Sequence, residues 1–130
     1  MRLFHNDLIS VLPRQQLLGQ WRELNSIFKL QNKHILINFV YDYPKEDLLN
    51  YSLLVIQEFL KRGYKFNMGN FNKYFGNMSW IKNFDGSIFK DKMNKEYLTI
   101  CYYNLLEKYR CGGITDEEWQ KIEDFIESQV

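Results

Sequence analysis

The sequence has little cysteine and no long apolar run. Its two cysteines, Cys101 and Cys111, form no CxxC pair and have no companion histidines, so they carry no metal-ligand signature. Two isolated cysteines favour a reduced, cytoplasmic protein. No stretch approaches the roughly 20 apolar residues that a membrane span needs, so we expect no membrane partner. The start, MRLFHNDLI, lacks the apolar block and cleavage site of a signal peptide.

Aromatic residues, by contrast, are abundant. Of the 130 residues, 45% are hydrophobic, 17% aromatic and 25% charged, which is typical of one globular domain over residues 1–130 with its own core. We find neither an internal repeat nor a domain boundary. The core should therefore be rich in rings, with some left for a surface or pocket.

Charge is unevenly distributed along the chain. Six carboxylates and one lysine give residues 111–130 a net charge of −5, which leaves +6 for the first 110 residues because the whole chain carries +1. A basic body with an acidic end suits a phosphate-binding face. The same distribution suits an acidic helix that docks on a basic one.

Apolar spacing predicts an all-α fold, a compact domain of three main helices plus a short C-terminal helix and a long aromatic-rich loop. The main helices are predicted over residues 12–29, 45–62 and about 95–110, and residues 1–11 should lie along the body. Pro44 and Gly63 bound the second helix, whose inward stripe is predicted to be Leu49, Leu53, Ile56 and Leu60. Asn94 should cap the third helix, and Thr115 with Glu118 should form a capping box for the last.

One stretch between the helices is ambiguous. The sequence ILINFVYDY, residues 35–43, is β-branched and aromatic, so it fits either a short strand or an extended connector. No partner strand with a hairpin turn lies nearby, and an isolated strand is unstable, so we favour the connector.

The first helix separates an apolar stripe from a polar one. Leu17, Trp21, Leu24 and Phe28 fall on one side, and the polar set falls roughly opposite: Gln15, Gly19, Arg22, Glu23 and Ser26. A glycine inside a helix costs about 1 kcal/mol relative to alanine. Gly19 puts a position without a side chain next to a cation and a carboxylate, and close approach of a bulky ligand requires such a position. The alternative is a solvated face with one tolerated glycine.

Residues 64–92 interleave aromatic rings with lysines. Such a surface suits stacking on bases and neutralisation of phosphates. It equally suits a long loop whose rings pin it to the helices. The sequence pattern does not decide between the two, and neither names a substrate.

A resemblance adds a function to this pattern. Its main part is Leu12, Gln15 and Leu17, then Arg22-Glu23-Leu24, Phe28 and Lys33-His34, and residues 60–64 and, more loosely, 104–109 extend it. These residues resemble the pyrimidine-dimer DNA glycosylases, and the resemblance covers residues 1 to about 66. Its most specific part is the Arg-Glu-Leu triplet in a helical context, together with an arginine near the chain start.

The resemblance implies an all-α DNA glycosylase and AP lyase that needs no metal or other cofactor. Its nucleophile is the chain's own α-amino group, here that of Met1, and Glu23 matches the essential glutamate. Arg2 and Arg22 match DNA-contacting arginines. Lys33 and Gly19 are further candidates for DNA binding. The implied partner is double-stranded DNA that contains damaged or abasic sites, bound by a monomer.

Other residues have candidate roles around this chemistry. His5 and His34 are candidate auxiliary groups, although a lone histidine is more often structural. Trp21 or the rings of residues 64–92 are candidates to fill the space left by an extruded base, although Trp21 also lies on the apolar stripe.

Three features depart from the family pattern. Arg2 follows Met1, and such a bulky second residue normally keeps the initiator methionine, so the terminal amine belongs to Met1. Ser26 stands where the family carries another arginine, and the acidic C-terminal segment replaces a basic surface. A second hypothesis is therefore a catalytically inactive nucleic-acid-binding or protein-interaction module of the same fold, with the acidic last helix contacting a partner.

Overall fold

Helices make up the fold. The computed structural model describes residues 2–30, 34–77 and 86–129, and these ranges contain no β-strand. The α-helices are α1 (Arg14–Leu30), α2 (Lys45–Arg62), α3 (Gly69–Phe75), α4 (Lys95–Arg110) and α5 (Asp116–Ser128). Two 3₁₀ helices, Asn6–Val11 and Asn38–Asp42, precede α1 and α2. The predicted all-α class is confirmed.

The helix ends follow the local signals in the sequence. The helix α2 has the predicted bounds, and Gly63 ends it in the left-handed conformation with φ 76°. The Asn94 side chain accepts a hydrogen bond of 2.8 Å from the Tyr97 N–H at the start of α4. At α5, Thr115 and Glu118 form the predicted capping box, with both hydrogen bonds at 3.1 Å.

The connector before α2 is helical, which corrects part of its prediction. A connector was rightly favoured over a strand, but the backbone is not extended. The His34 carbonyl accepts hydrogen bonds from Ile37 and Asn38 at 2.9 Å and 2.8 Å, which turns the chain into the second 3₁₀ helix. Ile37 and Val40 then anchor it in the core, with exposed fractions of 0% and 5%. Burial of these two side chains outweighs the strand preference of the sequence.

The predicted inward stripe of α2 is partly wrong. Leu49 is buried, but Leu60 is 65% exposed, and Val55 and Phe59 belong to the core instead. Apolar residues lie almost all round this helix, so their spacing does not select one face. Contacts of α2 with α1 and with both 3₁₀ helices decide which side is buried.

The predicted aromatic loop contains the short helix α3, which packs on α1. Phe71, Phe75 and Phe89 are almost completely buried, at 3%, 1% and 0% exposed. Phe66 lies edge-on against Trp21, with their ring centroids 5.5 Å apart, and Trp21 itself is 8% exposed. These described rings therefore pin the segment to the helices, which supports the packing interpretation. Trp80, Lys82 and Phe84 lie outside the described residues.

Candidate active site

Side chains from α1 and α2 hold the backbone of the N-terminal arm, which we define as residues 2–5. Gln20 of α1 is buried, and its Oε1 accepts a hydrogen bond of 3.0 Å from the Phe4 N–H. Its amide nitrogen donates to the Arg2 carbonyl oxygen at 3.1 Å. From α2, the Tyr51 hydroxyl lies 2.7 Å from the Phe4 carbonyl oxygen and 2.9 Å from Gln20 Oε1. The arm is thus fixed against two helices through its own peptide groups.

A third helix, α4, completes the support of the arm. The Tyr97 hydroxyl donates to the Leu3 carbonyl oxygen, and the His5 N–H donates to Cys101 Sγ at 3.4 Å. Burial raises the pKa of the Cys101 thiol and of the Tyr97 hydroxyl, and the nearby Arg2 guanidinium opposes this only in part. Both groups therefore stay protonated at neutral pH, and the tyrosine keeps the proton that it donates.

The polar stripe of α1 opens into a cleft of about 380 Å³ beside this arm. From α1 the cleft is lined by Gln15, Gln16, Gly19, Gln20, Arg22 and Glu23. Four members of the predicted polar set thus meet on one concave surface, whereas Ser26 does not line it. The division of α1 into a core face and a cleft face is therefore confirmed.

Other elements form the remaining walls of the cleft. Arg2 and Phe4 come from the arm, Leu36 from the turn after α1, and Asn104 and Lys108 from α4. Spacing of four residues places the last two on one face of α4. The sequence does contain that signal, but it is the same signal that any solvated helix face gives, so sequence reasoning missed both residues.

The cleft combines three cations with a single carboxylate among its described lining residues. Arg2, Arg22 and Lys108 supply the positive charge, and Glu23 supplies the carboxylate. A concave surface with a net positive charge attracts phosphate groups and concentrates them at the site. The arrangement therefore suits a polyanion that presents a reactive centre to one acidic group.

Glu23 is the least exposed ionisable group in this cleft, at 4% exposed. Within residues 2–30, 34–77 and 86–129, no hydrogen bond or ion pair engages its carboxylate. Its carboxylate oxygens are not among the buried side-chain atoms that lack a partner, whereas Gln16 Oε1 in the same lining is one. Glu23 therefore contributes a mostly buried acidic residue to the cleft lining, on the same helix as Arg22.

Gly19 leaves an opening in the cleft wall. A Cβ atom built there would meet only the Arg22 Nη2 atom, at an ordinary contact distance of 3.5 Å. The protein itself therefore does not require glycine at this position. Next to it on α1, the buried Gln16 Oε1 has no hydrogen-bond partner among the described residues, which leaves an acceptor at the cleft.

The two histidines lie outside the lining of this cleft. His5 Nδ1 accepts a hydrogen bond of 3.1 Å from Asp7 N–H and caps the first 3₁₀ helix. Burial lowers the pKa of His5, and the Asp7 carboxylate opposes this in part. His34 Nδ1 accepts from the Leu36 N–H at 3.2 Å and shapes the turn there. Each histidine thus has a structural contact, and their auxiliary roles stay predictions.

Two predicted site residues lie outside the described part of the chain, namely Met1 and Lys33. No group of three or more histidine, cysteine or acidic side chains in the described part is arranged to hold a metal ion. In the same ranges, no helix combines the length and apolar character of a membrane span.

Comparison with known proteins identifies the family of this chain. The family model described as pyrimidine dimer DNA glycosylase matches residues 1–72, more than half of the chain. The matched region contains the arm, α1 and α2, and therefore Arg22 and Glu23. No curated protein and no solved structure gives a significant match. The match over the arm and the helix that carries the cleft shows that this chain belongs to the pyrimidine dimer DNA glycosylase family.

Proposed function

We propose that this protein removes a damaged base, a pyrimidine dimer or a related lesion, from duplex DNA and then cleaves the abasic site as an AP lyase. The nucleophile is the α-amino group of Met1, and Glu23 assists it. The observation that carries this proposal is that Arg2 and Glu23 line one cleft. A single residue of chain, which spans at most about 3.6 Å, separates Arg2 from the α-amino group.

The proposed nucleophile has the right acidity for this reaction. Attack on the deoxyribose C1′ atom requires a neutral amine. An α-amino group with a pKa of about 7.7–8.0 is roughly one-tenth to one-sixth neutral at pH 7, whereas an ordinary lysine is neutral in about one molecule in 2,500. The chain terminus is therefore a better Schiff-base nucleophile than a surface lysine.

Glu23 has two tasks in this mechanism. The amine forms a bond to C1′ as the glycosidic bond breaks, and the base leaves with the electron pair and gains a proton. The positive charge that develops on the sugar and then on the iminium is stabilised by the carboxylate. The same group relays protons during ring opening and during the β-elimination that breaks the C3′–O bond.

DNA is held by the cations of the cleft. Arg22 and Lys108, with Arg2 and Lys33, bind backbone phosphates and place the damaged nucleotide over Glu23.

Borohydride trapping tests the nucleophile. The protein is incubated with duplex DNA that contains a pyrimidine dimer or an abasic site, and the iminium is reduced. We expect a covalent adduct whose mass maps to the N-terminal peptide. An adduct on a lysine-containing internal peptide would contradict the proposed nucleophile. Absence of an adduct with intact DNA binding would favour the inactive module.

The variant Glu23→Gln tests the carboxylate, with Glu127→Gln on the exposed side of α5 as the matched control. We expect Glu23→Gln to abolish strand cleavage with little change in DNA affinity, and the control to cleave normally. Unchanged cleavage by Glu23→Gln would remove this residue from the mechanism.

A further inference from the structure

DNA glycosylases extrude a base from the duplex at the lesion, which costs a few kcal/mol of unstacking. An apolar side chain that enters the stack reduces this cost, because it occupies the space between the neighbouring bases. In this protein, such a side chain would have to be an apolar residue that lines the cleft and is exposed to a ligand there.

Several of the aromatic residues suggested by the sequence are committed to the core. Trp21 packs in the core against Phe66, and Phe71, Phe75 and Phe89 are almost completely buried. These rings hold the helices together, and moving one into DNA would open the core.

Two of the described lining residues have apolar side chains, Phe4 and Leu36. Phe4 is 6% exposed, and its peptide groups are held by Gln20 and Tyr51. Leu36 is 37% exposed, and its neighbour Ile35 is 86% exposed. Leu36 is thus the apolar lining residue that a ligand in the cleft can reach.

The turn that carries Leu36 is well anchored. The Leu36 N–H donates to His34 Nδ1 at 3.2 Å, and the His34 N–H donates to Asn38 Oδ1 at 2.8 Å. Directly after Leu36, Ile37 is completely buried. Two exposed aliphatic side chains are therefore presented on a turn fixed by hydrogen bonds and by a core residue, so little further ordering is needed on binding.

We infer that Leu36, with Ile35 on the same turn, enters the base stack at the lesion and fills the space that the extruded base leaves. Its partner is the stacked base pairs of duplex DNA, and Arg22 and Lys108 of the same cleft attract the flanking phosphates. This inference rests on the proposed function for its chemistry, but insertion precedes chemistry and can be observed without it.

The test compares Leu36→Ala and Ile35→Ala with Leu60→Ala. Leu60 is 65% exposed on α2 and does not line the cleft, so its replacement removes the same side-chain atoms at an exposed position elsewhere. We expect Leu36→Ala to lower kcat/KM on lesion-containing duplex about tenfold, which corresponds to part of the unstacking cost. Ile35→Ala should lower kcat/KM less than Leu36→Ala does, and Leu36→Met should retain the activity that Leu36→Ala loses. Leu60→Ala should leave kcat/KM unchanged.

Two further measurements separate insertion from other roles. Borohydride trapping on a single-stranded abasic oligonucleotide needs no unstacking, so it should be equal in all variants. A 2-aminopurine base beside the lesion should brighten when wild-type protein binds, and this signal should be lost in Leu36→Ala. Thermal unfolding identifies any variant that fails to fold.

The outcomes distinguish this inference from the proposed function. If wild-type protein gives no adduct, the Schiff-base proposal fails, while the 2-aminopurine signal still reports on Leu36. The inference is overturned if Leu36→Ala matches Leu60→Ala in brightness and in kcat/KM. It is also overturned if trapping on single strands falls as much as activity on duplex, since Leu36 would then serve the chemistry and not the stack.

Discussion

Gln20 binds Phe4 through a buried hydrogen bond of 3.0 Å between residues 16 positions apart. The same side chain also holds the Arg2 carbonyl, and Glu23 lies three residues further along α1. Residues three apart on a helix are neighbours on its surface. One helix therefore carries both the grip on the chain start and the carboxylate, so their relative position depends on a single rigid element.

Replacing Gln20 by methionine keeps the length of the side chain but removes its two hydrogen bonds to the arm and the one with the Tyr51 hydroxyl. We expect a loss of stability of about 1–3 kcal/mol, because polar groups of the arm become unsatisfied. We also expect kcat to fall with little change in KM, since the chain start loses its register against Glu23 while the phosphate contacts remain. Single-turnover kinetics and chemical denaturation measure the two effects.

The control for this variant is Gln120→Met, on the exposed side of α5. It should change neither stability nor kcat. If Gln20→Met lowers only stability, and the folded fraction keeps its full kcat, the residue is structural and does not position the nucleophile.

Gly19→Ala separates the two interpretations of this glycine. We expect the variant to be more stable by up to about 1 kcal/mol, because alanine favours the helix and the structure has room for a Cβ atom. DNA affinity should fall, since the new methyl group projects into the cleft. Ser26→Ala, on the same helix but outside the cleft, is the control. Equal affinity of wild type and Gly19→Ala would mean that the glycine is merely tolerated.

Lys108→Ala tests whether α4 forms part of the DNA surface. Each phosphate contact that is lost should weaken binding similarly for all sequences and reduce the slope of log affinity against log salt by about one. We expect this for Lys108→Ala and Arg22→Ala, and not for Lys121→Ala, whose side chain is exposed on α5. A slope unchanged in Lys108→Ala would show that the DNA does not reach the α4 wall.

Stability should depend on pH through His5. Burial holds its pKa below the ordinary value of 6.5, so the unfolded chain takes up a proton first as the pH falls. The stabilisation from neutral His5 is therefore present above pH 6.5 and is lost as the pH falls from 6.5 towards the lower pKa of the folded state.

His5→Asn keeps an acceptor for the Asp7 N–H but has no titrating group in this range. We expect urea unfolding at several pH values to show a smaller acid loss of stability below pH 6.5 in the variant. Parallel curves for the two proteins would contradict the buried, neutral state of His5.

The sequence by itself determined the structural features that depend on residues close together along the chain. Helix caps such as Gly63, Asn94 and Thr115 act through hydrogen bonds and backbone angles within a few positions, so helix ends could be predicted. The polar stripe of α1 follows from helix geometry alone, and it correctly brought Gly19 and Glu23 to one surface. The family was recognisable because its most specific triplet lies within one turn of this helix.

Only the tertiary structure decided the contacts between residues that are far apart along the chain. The hydrogen bonds of Gln20 and Tyr51 to the arm, and the α4 wall with Lys108, join residues far apart in sequence, and no local pattern encodes such contacts. The aromatic segment shows the same limit, because rings at similar spacing serve a core or a surface equally well. Tertiary packing decided between core and surface, because a buried ring gains contacts on every side. A spacing pattern in the sequence does not record these contacts.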